Sequence, residues 1–164
     1  MTATKDGASF SVPWLIADGF AGFVTIQDLR ESRCADVPQE PCVYVVVRAV
    51  ESDPIWLELS TGGHFKRRDP TVALAILKER IVPGTPVLYI GKADQLRRRV
   101  SQYVRFGSGA STGHWGGRLI WQFADSGQLQ IAWQLHDQPR LQEKALIQLF
   151  VDEFGCMPLA NLAR

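Results

Sequence analysis

One stretch constrains this chain more than any other: Tyr89-Ile90-Gly91-Lys92-Ala93-Asp94-Gln95-Leu96-Arg97-Arg98-Arg99. The apolar run Val87–Gly91 predicts a strand. Asp94 is placed to cap a helix to about Phe106, with Leu96, Val100 and Tyr103 on one face. A strand that turns at a glycine into an arginine-rich helix needs a sheet beneath that helix, and it delivers cations to the strand's end.

The rest of the chain supplies such a sheet. Cys42–Ala49 is β-branched and aromatic and reads as a buried strand, and Ile55–Leu59 reads as a second one. Arg118–Phe123 and Leu129–Leu135 flank Asp125-Ser126-Gly127 and read as a hairpin. Thr25, with Asp28 three residues on, opens a short helix to about Ser32. Asp69-Pro70 fits the start of a helix ending near Arg80. Pro139 opens a last helix that Gly155 closes. Residues 1–24 read as irregular, Ser60–Arg68 and the five-glycine segment Gly107–Gly117 as loops. Strands and helices mix without regular alternation, so the expected class is α+β.

At 164 residues this is one domain, and 46% hydrophobic with 21% charged residues is a composition that folds, which excludes a disordered chain. No apolar run is long enough to span a membrane, and Met1–Phe10 lacks a basic patch followed by an apolar stretch, so no secretory leader is expected. Cys34, Cys42 and Cys156 have no CxxC spacing; that argues against a disulfide scaffold or zinc ribbon and fits the cytoplasm. His64, His114 and His136 are isolated, which removes HExxH-type zinc chemistry.

The net charge of +1 hides an asymmetry. Residues 1–60 carry four basic against nine acidic residues, whereas residues 91–118 carry six basic residues against Asp94 alone. A local positive surface follows without a basic overall charge. Ser60–Arg68 has the glycines and cations of a phosphate cradle but lacks the spacing of a nucleotide P-loop. The glycine-rich run Gly113-His114-Trp115-Gly116-Gly117-Arg118 offers an aromatic and a cation to a nucleic-acid backbone or base.

Three further placements draw the chemistry together. Arg99 and Tyr103 are four apart and neighbour each other on the helix surface. If the strands holding Tyr44 and Tyr89 pair antiparallel in suitable register, the two tyrosines share a face. Glu143 heads a helical stripe otherwise made of Ile147, Phe150 and Phe154.

In this order, Val43-Tyr44, Tyr89-Ile90-Gly91, Arg99, Glu143 and Asn161 resemble the GIY-YIG nuclease family. The basic helix and the Pro158-Leu159-Ala160-Asn161 ending are also similar. The resemblance covers about residues 41–162, and its specificity lies in the run YIGKADQLRRRVSQY followed by a helix acid and a late asparagine. Two features depart from the family. Cys42 stands where glycine is usual, and Tyr44 and Tyr89 are 45 residues apart, much farther than in compact members. Residues 50–85 therefore read as an insertion between two paired strands, in a domain of residues 41–164 against which an extension, residues 1–40, packs.

The resemblance implies a small mixed or antiparallel sheet flanked by helices. It implies an endonuclease that hydrolyses nucleic-acid phosphodiesters, DNA by family analogy, with Mg²⁺ or Mn²⁺. Glu143 is the implied metal ligand; one carboxylate with waters and a phosphate oxygen suits Mg²⁺. Arg99 offers forked donors to the phosphate. Tyr44 or Tyr89 would position or deprotonate the water, with the resemblance favouring Tyr44. Lys92 would assist it or bind phosphate, Tyr103 would hold substrate or water, and Asn161 would orient a catalytic group. Arg98, Arg105, His114 and Arg118 complete the expected nucleic-acid contacts. The alternatives are a nucleic-acid-binding module of the same fold that no longer cleaves, and a protein-interaction domain that kept only the fold.

Overall fold

The central strand explains the architecture. In Cys42–Val47 (β2) all six residues are buried, so both faces of this strand must be covered. Residues 8–162 are described by the structure, a computed structural model. Met1–Gly7, part of the segment expected to lack a leader, fall outside the described residues, as do Ala163 and Arg164.

The sheet has four strands: Ala21–Thr25 (β1), β2, Val87–Ala93 (β3) and Gln130–Leu135 (β4). Their order is β1-β4-β2-β3 and every pairing is antiparallel. The fold is α+β, as expected, with an antiparallel sheet. Side chains alternate across it. Tyr44, Val46, Tyr89 and Ile131 enter one core with Val100 and Tyr103 of helix Leu96–Gly107 (α4). Val43, Val45, Val47 and Ile90 enter a second core with Trp14 of helix Val12–Ala17 (α1) and Phe150 of helix Pro139–Phe154 (α5). Each layer of helices thus seals one face of β2.

Several local expectations hold. Thr25 caps Ile26–Glu31 (α2) by accepting from the Asp28 N–H at 3.1 Å. Pro139 opens α5, and Gly155 ends it in a left-handed conformation at φ 76°. The 45-residue separation of Tyr44 and Tyr89 does not prevent pairing, because β2 and β3 are direct neighbours with Tyr44 opposite Gly91.

Others are corrected. Residues 1–40 are more than an extension: within them β1 is the edge strand beyond β4, so the segment expected to be irregular holds α1 and one quarter of the sheet. Ile55–Leu59 is not a strand; only Trp56 bridges, to Phe123. Arg118–Gln122 is a 3-10 helix, so the expected hairpin does not form. Its buried Gln122 receives the Val72 N–H at 2.8 Å and donates to the carbonyls of Leu57 and Val72, which ties the 50–85 segment down. The third helix begins at Leu74 (α3, Leu74–Arg80), because Asp69 is spent on the Thr71 N–H. Asp94 does not cap α4; the Arg97 N–H there is met by the Pro38 carbonyl at 2.9 Å. The described cysteines are all free. No helix among the described residues is long and apolar enough to cross a membrane.

Candidate active site

Gly91 is where the site begins. A Cβ on Gly91 would lie 2.7 Å from Tyr44 Cζ and 2.7 Å from Tyr89 Cε1, so the two rings occupy the space a side chain would need. With Tyr44 opposite Gly91 and Tyr89 two residues earlier on β3, both rings rise from one sheet face, their centroids 5.9 Å apart. Tyr103, from the buried side of α4, adds a third ring 5.8 Å from Tyr89. Arg99, one turn before Tyr103, borders the same cluster and donates to the Gly113 carbonyl at 3.5 Å.

The fourth ring is His114, which the glycine-rich loop turns inward. It stacks on Tyr103 at 3.7 Å and 5°, and its Nε2 lies 2.9 Å from the Tyr44 hydroxyl. His114 is fully buried, so the expectation that it contacts nucleic acid at the surface is overturned. Its Nδ1 is buried without a hydrogen-bond partner among the described residues. Gly117, three residues on, is the signal for this packing. A side chain on Gly117 would strike the Tyr103 hydroxyl, which donates to the Gly117 carbonyl at 2.5 Å.

An open cleft of about 500 Å³ lies at the end of β3, lined by Tyr89, Lys92, Arg98, Arg99, Gln102 and Glu143 among others. β3 is an edge strand, and this is what lets one cleft collect side chains from both faces. Tyr89 and Arg99 come from the α4 side, and Glu143 from α5, which packs on the other face. A cavity of similar volume near Ser11, Arg48 and Thr85 has less to offer, since Arg48 is already held by Asp125 at 3.0 Å.

Of the seven residues expected to be catalytic, the structure brings Tyr89, Lys92, Arg99 and Glu143 together at the cleft. Tyr44 and Tyr103 are fully buried and do not line it; they pack against Tyr89 from within the core. Of the two motif tyrosines, Tyr89 is the one that lines the cleft, although the resemblance favours Tyr44 as the group acting on water. Asn161 does not face the cleft chemistry. Its amide receives the Ile90 N–H and donates to the Ile90 carbonyl, each at 2.9 Å, so it completes the ladder on the free edge of β3. The Arg80 guanidinium donates to the carbonyls of Leu159 and Asn161 and holds the same tail. Among the other cations, Arg98 stands on the cleft rim, Arg105 is exposed and Arg118 is half-buried over Trp115.

Burial sets the electrostatics. It pushes the Tyr44 and Tyr103 phenols well above their ordinary value, and each is raised further by neighbouring tyrosines. Tyr89 is also raised by burial, but Arg99 and the Tyr44 hydroxyl pull it back. Desolvation, followed by the charge of Arg99, holds His114 well below its usual value, so the imidazole is neutral. Glu143 is raised by burial, against the pull of Lys92, Arg140, Arg99 and Lys144. Its carboxylate makes no hydrogen bond or close ion pair among the described residues, which leaves both oxygens free to ligate. No three metal-ligating side chains cluster among those residues, so a cation held here would depend on Glu143, water and a ligand's own oxygens. The chain matches no protein-family model, no curated protein and no solved structure.

Proposed function

We propose that this cleft hydrolyses a phosphodiester bond of nucleic acid, with DNA as the substrate tested first and a divalent cation at Glu143. The observation that carries the reading is the meeting of Tyr89, Lys92, Arg99 and Glu143 around one open cleft. Cleaving a phosphodiester needs a positioned water, a clamp on the phosphate and neutralisation of the leaving oxygen.

The residues divide this work. Arg99 presents forked donors to the non-bridging oxygens, anchored by its bond to the Gly113 carbonyl. Lys92 adds a second positive charge and, facing Glu143, favours the ionised carboxylate despite its burial. The Tyr89 hydroxyl orients the water whose oxygen forms the new bond to phosphorus as the bond to the leaving sugar oxygen breaks. Tyr44 and His114 stand behind Tyr89 and fix its direction. Mg²⁺ bound at Glu143 would supply charge neutralisation to the phosphate and the departing oxygen.

Incubation of the full chain with supercoiled plasmid DNA tests this reading. Nicked or linear product with Mg²⁺ and none with EDTA is expected. Intact plasmid under both conditions, with an RNA substrate also uncut, contradicts the reading.

A further inference from the structure

A tight turn outside the cleft lining carries side chains badly suited to it. Phe65 and Arg68 form an antiparallel bridge, with the Phe65 N–H donating to the Arg68 carbonyl at 3.1 Å and the Arg68 N–H returning the bond at 2.9 Å. The two residues between them, Lys66 and Arg67, have φ of 49° and 63°. Positive φ at both central positions is the type I′ turn, whose favoured occupants are Asn-Gly or Asp-Gly. Long side chains there are strained, and strain retained at a surface turn points to use of those side chains.

The turn is seated on aromatic rings that lead to another cation. Lys66 Nζ lies 5.4 Å from the Phe65 centroid, Phe65 is 6.3 Å from Trp115, and the Arg118 guanidinium lies 4.4 Å from the Trp115 centroid. Cation, ring, ring and cation form one row. Burial lowers the Arg118 pKa, and the positive charges of Arg68 and Arg80 lower it further, so Arg118 feels like charge from both. None of Lys66, Arg67, Arg68 and Arg118 has a carboxylate partner among the described residues; the nearby Asp69 is engaged with Thr71 and His64. The 113–118 loop joins this row to the cleft. Gly113 holds Arg99, and a Cβ on Gly116 would lie 3.9 Å from the Tyr89 hydroxyl.

We infer that the Phe65–Arg68 turn and Arg118 form a second binding surface, which takes the sugar-phosphate backbone of the nucleic acid beyond the scissile phosphate. The inference rests on the nucleic-acid reading of the cleft. Crowded cations without acidic partners are relieved by a polyanion, and continuity with the cleft places that polyanion on the same strand. The row also gives the 50–85 segment a purpose, since that segment carries the turn out beside the cleft.

The test is a variant that suits the turn better while removing its charge, Lys66→Asn with Arg67→Gly. A second variant, Arg68→Gln, leaves the two left-handed positions untouched. Binding of the full chain to a short duplex DNA is measured in EDTA over a range of salt concentrations, beside thermal unfolding and plasmid cleavage with Mg²⁺. The double variant is expected to unfold no earlier than wild type and to bind more weakly. Its slope of log K against log salt should fall by about two, and that of Arg68→Gln by about one, near one unit for each phosphate no longer neutralised. Folded variants with wild-type affinity and salt slope overturn the surface, whether or not the plasmid is cut. Reduced slopes without cleavage by wild type support the surface and overturn only the proposed hydrolysis.

Discussion

The Tyr44 hydroxyl lies 2.9 Å from Nε2 of His114, a contact between residues seventy apart in the chain and both closed to solvent. It joins the central strand to the glycine-rich loop directly behind the cleft. Its consequences are thermodynamic as well as catalytic.

Because His114 is neutral in the folded protein, with its pKa held well below the ordinary value, unfolding below about pH 6.5 takes up a proton. The stability contributed by the neutral imidazole is complete above the unfolded value and is lost as pH falls toward the folded one. Wild type should therefore lose stability between about pH 7.5 and about pH 5, by at most ~1.4 kcal/mol per pH unit from this group. His114→Gln should lack that component. Denaturant unfolding of both proteins at several pH values makes the comparison, and parallel pH profiles would contradict the assignment.

The two motif tyrosines should separate by readout. Tyr44→Phe leaves a buried imidazole without its hydroxyl partner and should cost about 1–3 kcal/mol of stability. Tyr89→Phe touches the cleft instead. It should leave the unfolding midpoint near wild type and slow cleavage by ~10²-fold or more. Full turnover by Tyr89→Phe, or unchanged stability of Tyr44→Phe, would reverse these roles.

Asn161 makes its bonds to backbone, so its loss should act through folding. Asn161→Ala strips both partners from the buried Ile90 peptide groups, at about 1–3 kcal/mol for each group left bare. Unfolding curves should show this loss, while the cleavage rate well below the transition stays within several-fold of wild type. A large rate loss at undiminished stability would restore Asn161 to the reacting groups.

The arginines of α4 differ in reach. Arg99, anchored at the Gly113 carbonyl and lining the cleft, should lower the rate by ~10²-fold or more as Arg99→Ala, the scale for losing one preorganised donor. Arg98 stands on the rim and Arg105 is exposed. Their alanine variants should weaken binding and lower the salt slope by about one each. Rates at saturating DNA, paired with binding across salt concentrations, distinguish the two effects.

How far the sequence reveals all this depends on local pattern. The apolar run within Cys42–Val47, the turn at Gly91 and the ends of α5 are legible because propensity and tertiary packing agree there. Arg118–Gln122 is not, because Leu119, Ile120 and Trp121 have strand-like composition but are buried together in a 3-10 turn. β1 is obscured by Gly22 and by a register shift at Phe23, whose φ is 53°. The sequence draws Arg99, Lys92 and Glu143 into one set only through a resemblance, and their meeting at an edge-strand cleft is a property of the sheet order. His114 is hidden because a glycine-rich loop looks exposed; its burial depends on a partner seventy residues away. The bonds of Asn161 are hidden because they imitate a strand that the chain does not contain.

Glu143, as proposed, serves the chemistry and not the binding or the fold. Burial raises its carboxyl above the ordinary value, so cleavage should increase with pH as that group ionises. The most direct measurement is Glu143→Gln against supercoiled plasmid with Mg²⁺, alongside duplex binding in EDTA. Cleavage should be abolished while affinity and melting temperature stay close to wild type. Cleavage by Glu143→Gln within a few-fold of wild type would contradict it.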